Sequence, residues 1–89
     1  MVLLNKQHRK ELGVLYGMFG WKWLTKNQFG VLQVHEEKPR KEGAVWFSVM
    51  SSFIGSKAKA IEELVSWDDK EPLDIAKAIA EHDKRAKGS

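Results

Sequence analysis

At Gly20 the apolar pattern of this chain changes period, and that change dictates most of its architecture. Before it, Leu12, Leu15, Tyr16 and Phe19 recur at i, i+3, i+4 and i+7, which is one face of a helix. After it, Trp21, Trp23 and Thr25 alternate with Lys22, Leu24 and Lys26, the period of a strand. Asn27-Gln28-Phe29-Gly30 then supplies turn residues, with Gly30 suited to a left-handed or bulged position. Val31 to Glu37 returns as a second strand. Pro39 has no N–H to give a ladder, so it ends that strand or holds it at an edge. Residues 21–39 therefore read as a β-hairpin.

The flanks follow from the same rules. Asn5 is an N-cap, Gly20 a helix stop, and a helix is expected over about residues 5–18. Gly13 and Gly17 weaken it by up to ~1 kcal/mol each relative to alanine. Arg40-Lys41-Glu42-Gly43 reads as a polar connection, and Ala44 to Met50, apolar and β-branched, as a third strand completing an antiparallel meander. Residues 51–56 read as a loop, with Gly55 as a break and Ser56 as a further N-cap. In residues 57–66 the spacing of Ala60, Ile61, Leu64 and Val65 favours a short helix; a fourth strand through Leu64-Val65-Ser66-Trp67 is the alternative. Asp68-Asp69-Lys70-Glu71-Pro72 opens the last helix, with proline in its first turn. Asp69, Glu71 and Asp74 at one end and Lys84, Arg85 and Lys87 at the other suit the helix dipole. Ile75, Ala78, Ile79 and His82 would form its buried stripe.

The expectation is one α+β domain over residues 1–89: an N-terminal helix, a three-stranded antiparallel meander, a short helix-or-strand segment, and a C-terminal helix. Both long helices would cover one sheet face. The expected core is Leu12, Leu15, Tyr16, Phe19, Trp23, Leu32, Val34, Trp46, Ile61, Leu64, Ile75 and Ile79.

Composition narrows the function classes. A chain of 89 residues buries only about 60% of its unfolded surface, but four tryptophans and a 43% apolar content can supply a core. There is no cysteine, hence no disulfide and no thiolate metal site, which fits a reducing cytosol. No apolar run approaches the ~18 residues that a membrane span needs, and Met1-Val2-Leu3-Leu4-Asn5-Lys6 has its charge after the apolar residues, the reverse of a signal peptide. The net charge of +3 permits nucleic acid as a partner without pointing to it.

No constellation of residues carries defensible chemistry. His35-Glu36-Glu37 lacks the HExxH spacing and reads as a solvated strand end. Glu36-Glu37-Lys38 matches half of a nuclease-type metal site, but the partner strand from Trp21 to Asn27 has no carboxylate to complete it. Asp68, Asp69, Glu71 and Asp74 have no EF-hand spacing and are explained by the helix N-terminus they precede. No nucleophile elbow frames a serine beside His8, His35 or His82, and Gly13, Gly17 and Gly20 match no phosphate loop. The expectation is a non-enzyme with no catalytic residue, metal or cofactor.

Surfaces are more informative. On a strand, Trp46 and Phe47 face opposite ways, so one packs and the other is offered to solvent. Trp21, Phe29 and Phe47 are the candidate protein-contact residues, since exposed aromatics make hot spots. The alternative is a nucleic-acid contact through Lys6, Arg9, Lys10, Lys22 and Lys26, where lysines beside aromatics could hold phosphates while bases stack. A third option is pairing of edge strands between copies.

Gly20-Trp21-Lys22-Trp23-Leu24, Phe29-Gly30-Val31-Leu32, Glu37-Lys38-Pro39, Trp46 and Trp67-Asp68-Asp69-Lys70-Glu71-Pro72-Leu73-Asp74-Ile75 together resemble the small proteins encoded by phages and prophages of Gram-positive bacteria. The resemblance spans about residues 12–79, and its motifs are structural. It transfers no catalytic residue. It implies an early or accessory product acting in the host bacterial cytoplasm by binding one host or phage macromolecule, and the expected function is a non-enzymatic protein that binds and inhibits a host protein.

Overall fold

The computed structural model describes residues 4–54 and 60–88. The expected break at Gly55 and N-cap at Ser56 lie outside the described residues, as do residues 57–59.

Helix α1 spans Lys6–Gly17. Asn5 caps it: its side-chain oxygen accepts from the His8 amide at 2.8 Å, and His8 Nδ1 accepts from the Asn5 amide at 3.1 Å. This is a capping box with histidine in the place usually taken by Glu or Gln. His8, Leu12 and Leu15 are buried on its inner face. That stripe is rotated from the one the sequence suggests. Tyr16 lies at its rim, 42% exposed, and Phe19 lies past the helix end, 61% exposed, so neither joins the core. Gly20, at φ +75°, turns the chain so that the Gly20 and Trp21 amides meet the Tyr16 and Leu15 carbonyls.

Among the described residues six strands follow: β1 (Trp23–Lys26), β2 (Leu32–His35), β3 (Arg40–Glu42), β4 (Val45–Phe47), β5 (Ser51–Ile54) and β6 (Leu73–Asp74). The main sheet has the order β5-β2-β1-β6, with every neighbouring pair antiparallel. β3 and β4 form a separate hairpin. The α+β class with helices at both ends of an antiparallel sheet is therefore as expected, but the third strand of the meander is not residues 44–50. It is β5, in a segment read as loop, while the supposed connection at 40–43 contributes β3. The two-residue turn at Gly43-Ala44 explains this. Gly43, at φ +61°, takes the first turn position, where a type II′ hairpin needs glycine. The chain thus reverses at residues 43–44, seven residues before β5 begins.

The sheet face that meets the helices is set by Leu24, not by Trp23. Leu24 pairs with Val34, and both are fully buried. They join Leu4, Leu12, Leu15, Leu32, Ile61, Val65, Ile75 and Ala78 in one apolar cluster, against which Leu64 and Ile79 are partly buried. Trp23 lies half-buried on the opposite face, across from His35. All four residues of β2 are buried, because both of its faces are covered.

A 3-10 helix at Ala60–Leu64 supplies Ile61 and takes the place of the alternative fourth strand. Helix α2 spans Ile75–Gly88, starting beyond Pro72 rather than around it. Asp74 caps it, accepting from the Lys77 amide at 3.1 Å, so the acids precede the first turn instead of filling it. Arg9 joins the two helices through Asp83, at 3.0 and 3.3 Å.

Candidate binding surface

The sheet face turned away from the helices carries the distinctive side chains. Thr25, Gln33 and His35 share it by strand alternation, and all three are buried beneath β4 and the residue that follows it. Gln33 grips the backbone of Trp46 at both its N–H and its carbonyl. His35 lies between the hydroxyls of Thr25, 2.9 Å from Nε2, and Ser48, 2.8 Å from Nδ1. The Ser48 hydroxyl donates its single proton to the Met50 carbonyl, 3.2 Å away. It must then accept from His35, which fixes the neutral Nδ1–H tautomer and leaves Nε2 to accept from Thr25. Burial pulls the imidazole down to about 4, so it is uncharged at neutral pH. This corrects the solvated strand end expected for His35. The strand stops there, and only Glu36 and Glu37 reach solvent.

At one end of this face the hairpin tips meet. Asn27 builds the first: its side-chain oxygen accepts from the Phe29 and Val31 amides at 2.9 and 3.0 Å, and Gly30 takes φ +82°. The Gln28 amide donates to the Ala44 carbonyl at 3.0 Å, tying this tip to the turn of the second hairpin. Phe29 projects from the tip, 77% exposed. Phe47 points outward from β4, 48% exposed, while Trp46 points inward, as alternation requires. Val31 is exposed on the first tip, and Val49 and Met50 are exposed on the connection from β4 to β5.

Elsewhere on the hairpin an open cleft of about 420 Å³ is lined by Lys38, Pro39, Arg40, Lys41, Trp46, Lys70, Glu71 and Pro72. Four cations thus face one carboxylate. Lys41 lies 4.4 Å from the Trp67 ring centre and 5.3 Å from that of Trp46, and it donates to the Trp67 carbonyl at 2.6 Å. Lys38 pairs with Glu71 at 3.3 Å and stands 5.9 Å over Trp23. This cleft is invisible to sequence reasoning, since its cations come from segments about thirty residues apart.

The residues singled out from sequence are not all brought together. Trp21 packs against the apolar cluster before β1, at the opposite end of that strand from Phe29. Lys6 and Lys10 are exposed on α1, whereas Arg9 is held by Asp83. Lys26 donates to the Glu62 carbonyl at 2.7 Å, and Lys22 is exposed ahead of β1. The four acids near α2 have separate tasks: Asp69 accepts from the Ser66 amide, Glu71 pairs with Lys38 and Asp74 caps the helix, while Asp68 is exposed. Among the described residues no three His, Asp or Glu side chains converge as ligands for one ion, and no helix is long and apolar enough to cross a membrane. Comparison with protein-family models, curated proteins and solved structures finds no match.

Proposed function

We propose that this chain is a non-enzymatic accessory protein of the phage type that binds, and by binding inhibits, a host protein in the bacterial cytoplasm. The contact surface is the exposed hairpin side of the sheet, with Phe29 at the first hairpin tip and Phe47 on β4, opposite Arg40 at the end of the second hairpin away from its turn, as its anchors. One observation carries this reading: Phe29, Phe47 and Val49 stand exposed on the hairpin side, while the sheet face that meets the helices is filled. Aromatic anchors beside an apolar rim are what a protein-contact hot spot needs. The test is affinity capture from nuclease-treated bacterial lysate by the tagged chain and by a Phe29→Ser/Phe47→Ser double variant. The expected result is one host protein retained near stoichiometry by the wild type and lost by the variant. Equal retention by both would remove these two aromatics from the contact.

The cleft of Lys38, Arg40, Lys41 and Lys70 beside Trp46 and Trp67 favours a second reading, binding of single-stranded nucleic acid. It would replace the dispersed set of Lys6, Arg9, Lys10, Lys22 and Lys26. Fluorescence anisotropy of a labelled oligonucleotide across a salt series tests it. Steep weakening with salt, and loss in Arg40→Glu/Lys70→Glu, is the expected signature; no binding at low salt removes this reading.

A further inference from the structure

The main sheet ends on β5, and this edge lacks the protection that natural edges carry. Ser51, Ser52 and Phe53 are exposed, and Phe53 is 61% accessible despite its size. β5 is hydrogen-bonded to β2 along one side only, and the Glu36 amide extends that ladder to Met50 at 3.1 Å. In an antiparallel ladder half of a strand's amides and carbonyls point away from its neighbour. Those of β5 point outward, and among the described residues no strand lies beside them. Residues 44–56 hold no charge and no proline, although charges, prolines and bulges are how edges avoid pairing. The opposite edge, β6, is only two residues long and runs directly into α2.

We infer that two copies of this chain pair through β5, antiparallel and about a two-fold axis at Ser52, to make one continuous eight-stranded sheet. The edge is complementary to itself. A two-fold axis normal to the sheet brings Ser52 against Ser52 of the second copy, Ser51 against Phe53, and Met50 against Ile54. Every pair matches residues of the same face, so the helix layers of both copies lie on one side and their apolar clusters continue across the seam. Met50 is exposed and Ile54 half-buried in the single chain, and each would gain an apolar neighbour. No like charges oppose one another along the strand. The two hairpin tips carrying Phe29 would then lie at opposite ends of the shared sheet, so this pairing does not depend on the host-protein contact and leaves it open on each copy.

Sedimentation equilibrium of the full chain and of three samples tests this: Ser52→Lys, Ser52→Glu and their equimolar mixture. Ser52 is exposed, so neither substitution disturbs the core. The expected result is twice the monomer mass for the wild type, the monomer mass for each variant alone, and recovery of the doubled mass on mixing, because lysine then faces glutamate across the axis. Circular dichroism confirms that each variant retains its fold. A wild type that stays monomeric at its highest soluble concentration overturns the inference. So does a dimer that survives both substitutions, since the interface would then lie elsewhere.

Discussion

The two faces of the main sheet solve opposite problems. On the helix side, Leu24 and Val34 meet Leu12, Ile61 and Ile75, all five of them fully shielded from water. On the hairpin side, the same strands present Thr25, Gln33 and His35, which are covered by a two-stranded flap and held by hydrogen bonds. Outside that flap, Phe29, Phe47 and Val49 stay in water. The lesson is a division of labour. Apolar burial on one face stabilises the fold, whereas the other face is held by hydrogen bonds and leaves apolar side chains in water.

The largest predicted effect falls on the helix side. Leu24→Ala empties the centre of the apolar cluster and should destabilise the fold by about 3 kcal/mol. Urea unfolding would read this as a lower midpoint with an unchanged slope. A loss below about 1 kcal/mol would mean that the face meeting the helices is not the main source of stability.

The polar face has its own signature, in pH. The His35 imidazole has its folded value near 4 against 6.5 unfolded, so between those values the unfolded chain binds a proton that the fold refuses. Stability is therefore full above about pH 6.5 and falls as pH drops towards 4, by about 3 kcal/mol in all from this group. Unfolding midpoints measured from pH 7 to pH 4 check this, with His35→Gln as the comparison. The variant should show a shallower fall across that window. Identical profiles would show that His35 is not held neutral.

A smaller effect belongs to the tip that joins the two hairpins. Asn27→Ala removes the acceptor for the Phe29 and Val31 amides and should cost about 1–2 kcal/mol. Amide exchange at Phe29 and Val31 should quicken in step with it. Smallest, and opposite in sign, is Gly17→Ala. An added methyl there meets nothing within 4 Å, and at the end of α1 it should stabilise by about 0.5 kcal/mol, read as a raised thermal midpoint.

What could be read from sequence follows the same division. The N-cap at Asn5, the hairpin around Gly30 and the opposed facing of Trp46 and Phe47 are local properties of the chain, and the structure reproduces them. The facing of β1 was not local. Trp23 and Leu24 are both apolar, and only the arrival of α1 and the 3-10 helix over Leu24 decides between them. β3 is entirely exposed and charged, so it has no alternating pattern to detect; pairing with β4 and the stacking of Lys41 on Trp67 hold it. β5 reads as loop because Ser-Ser-Phe-Ile has no polar–apolar rhythm, and its strand form is imposed by the ladder with β2. The buried state of His35 likewise depends on Ser48, thirteen residues away.

The measurement that tests the division most directly is urea unfolding of the Phe29→Ser/Phe47→Ser double variant beside Leu24→Ala and the wild type. If the hairpin aromatics are kept for contacts rather than for stability, the double variant unfolds within about 0.5 kcal/mol of the wild type while Leu24→Ala falls far below both. A double variant as unstable as Leu24→Ala would contradict the account, because those side chains would then belong to the fold and not to a partner.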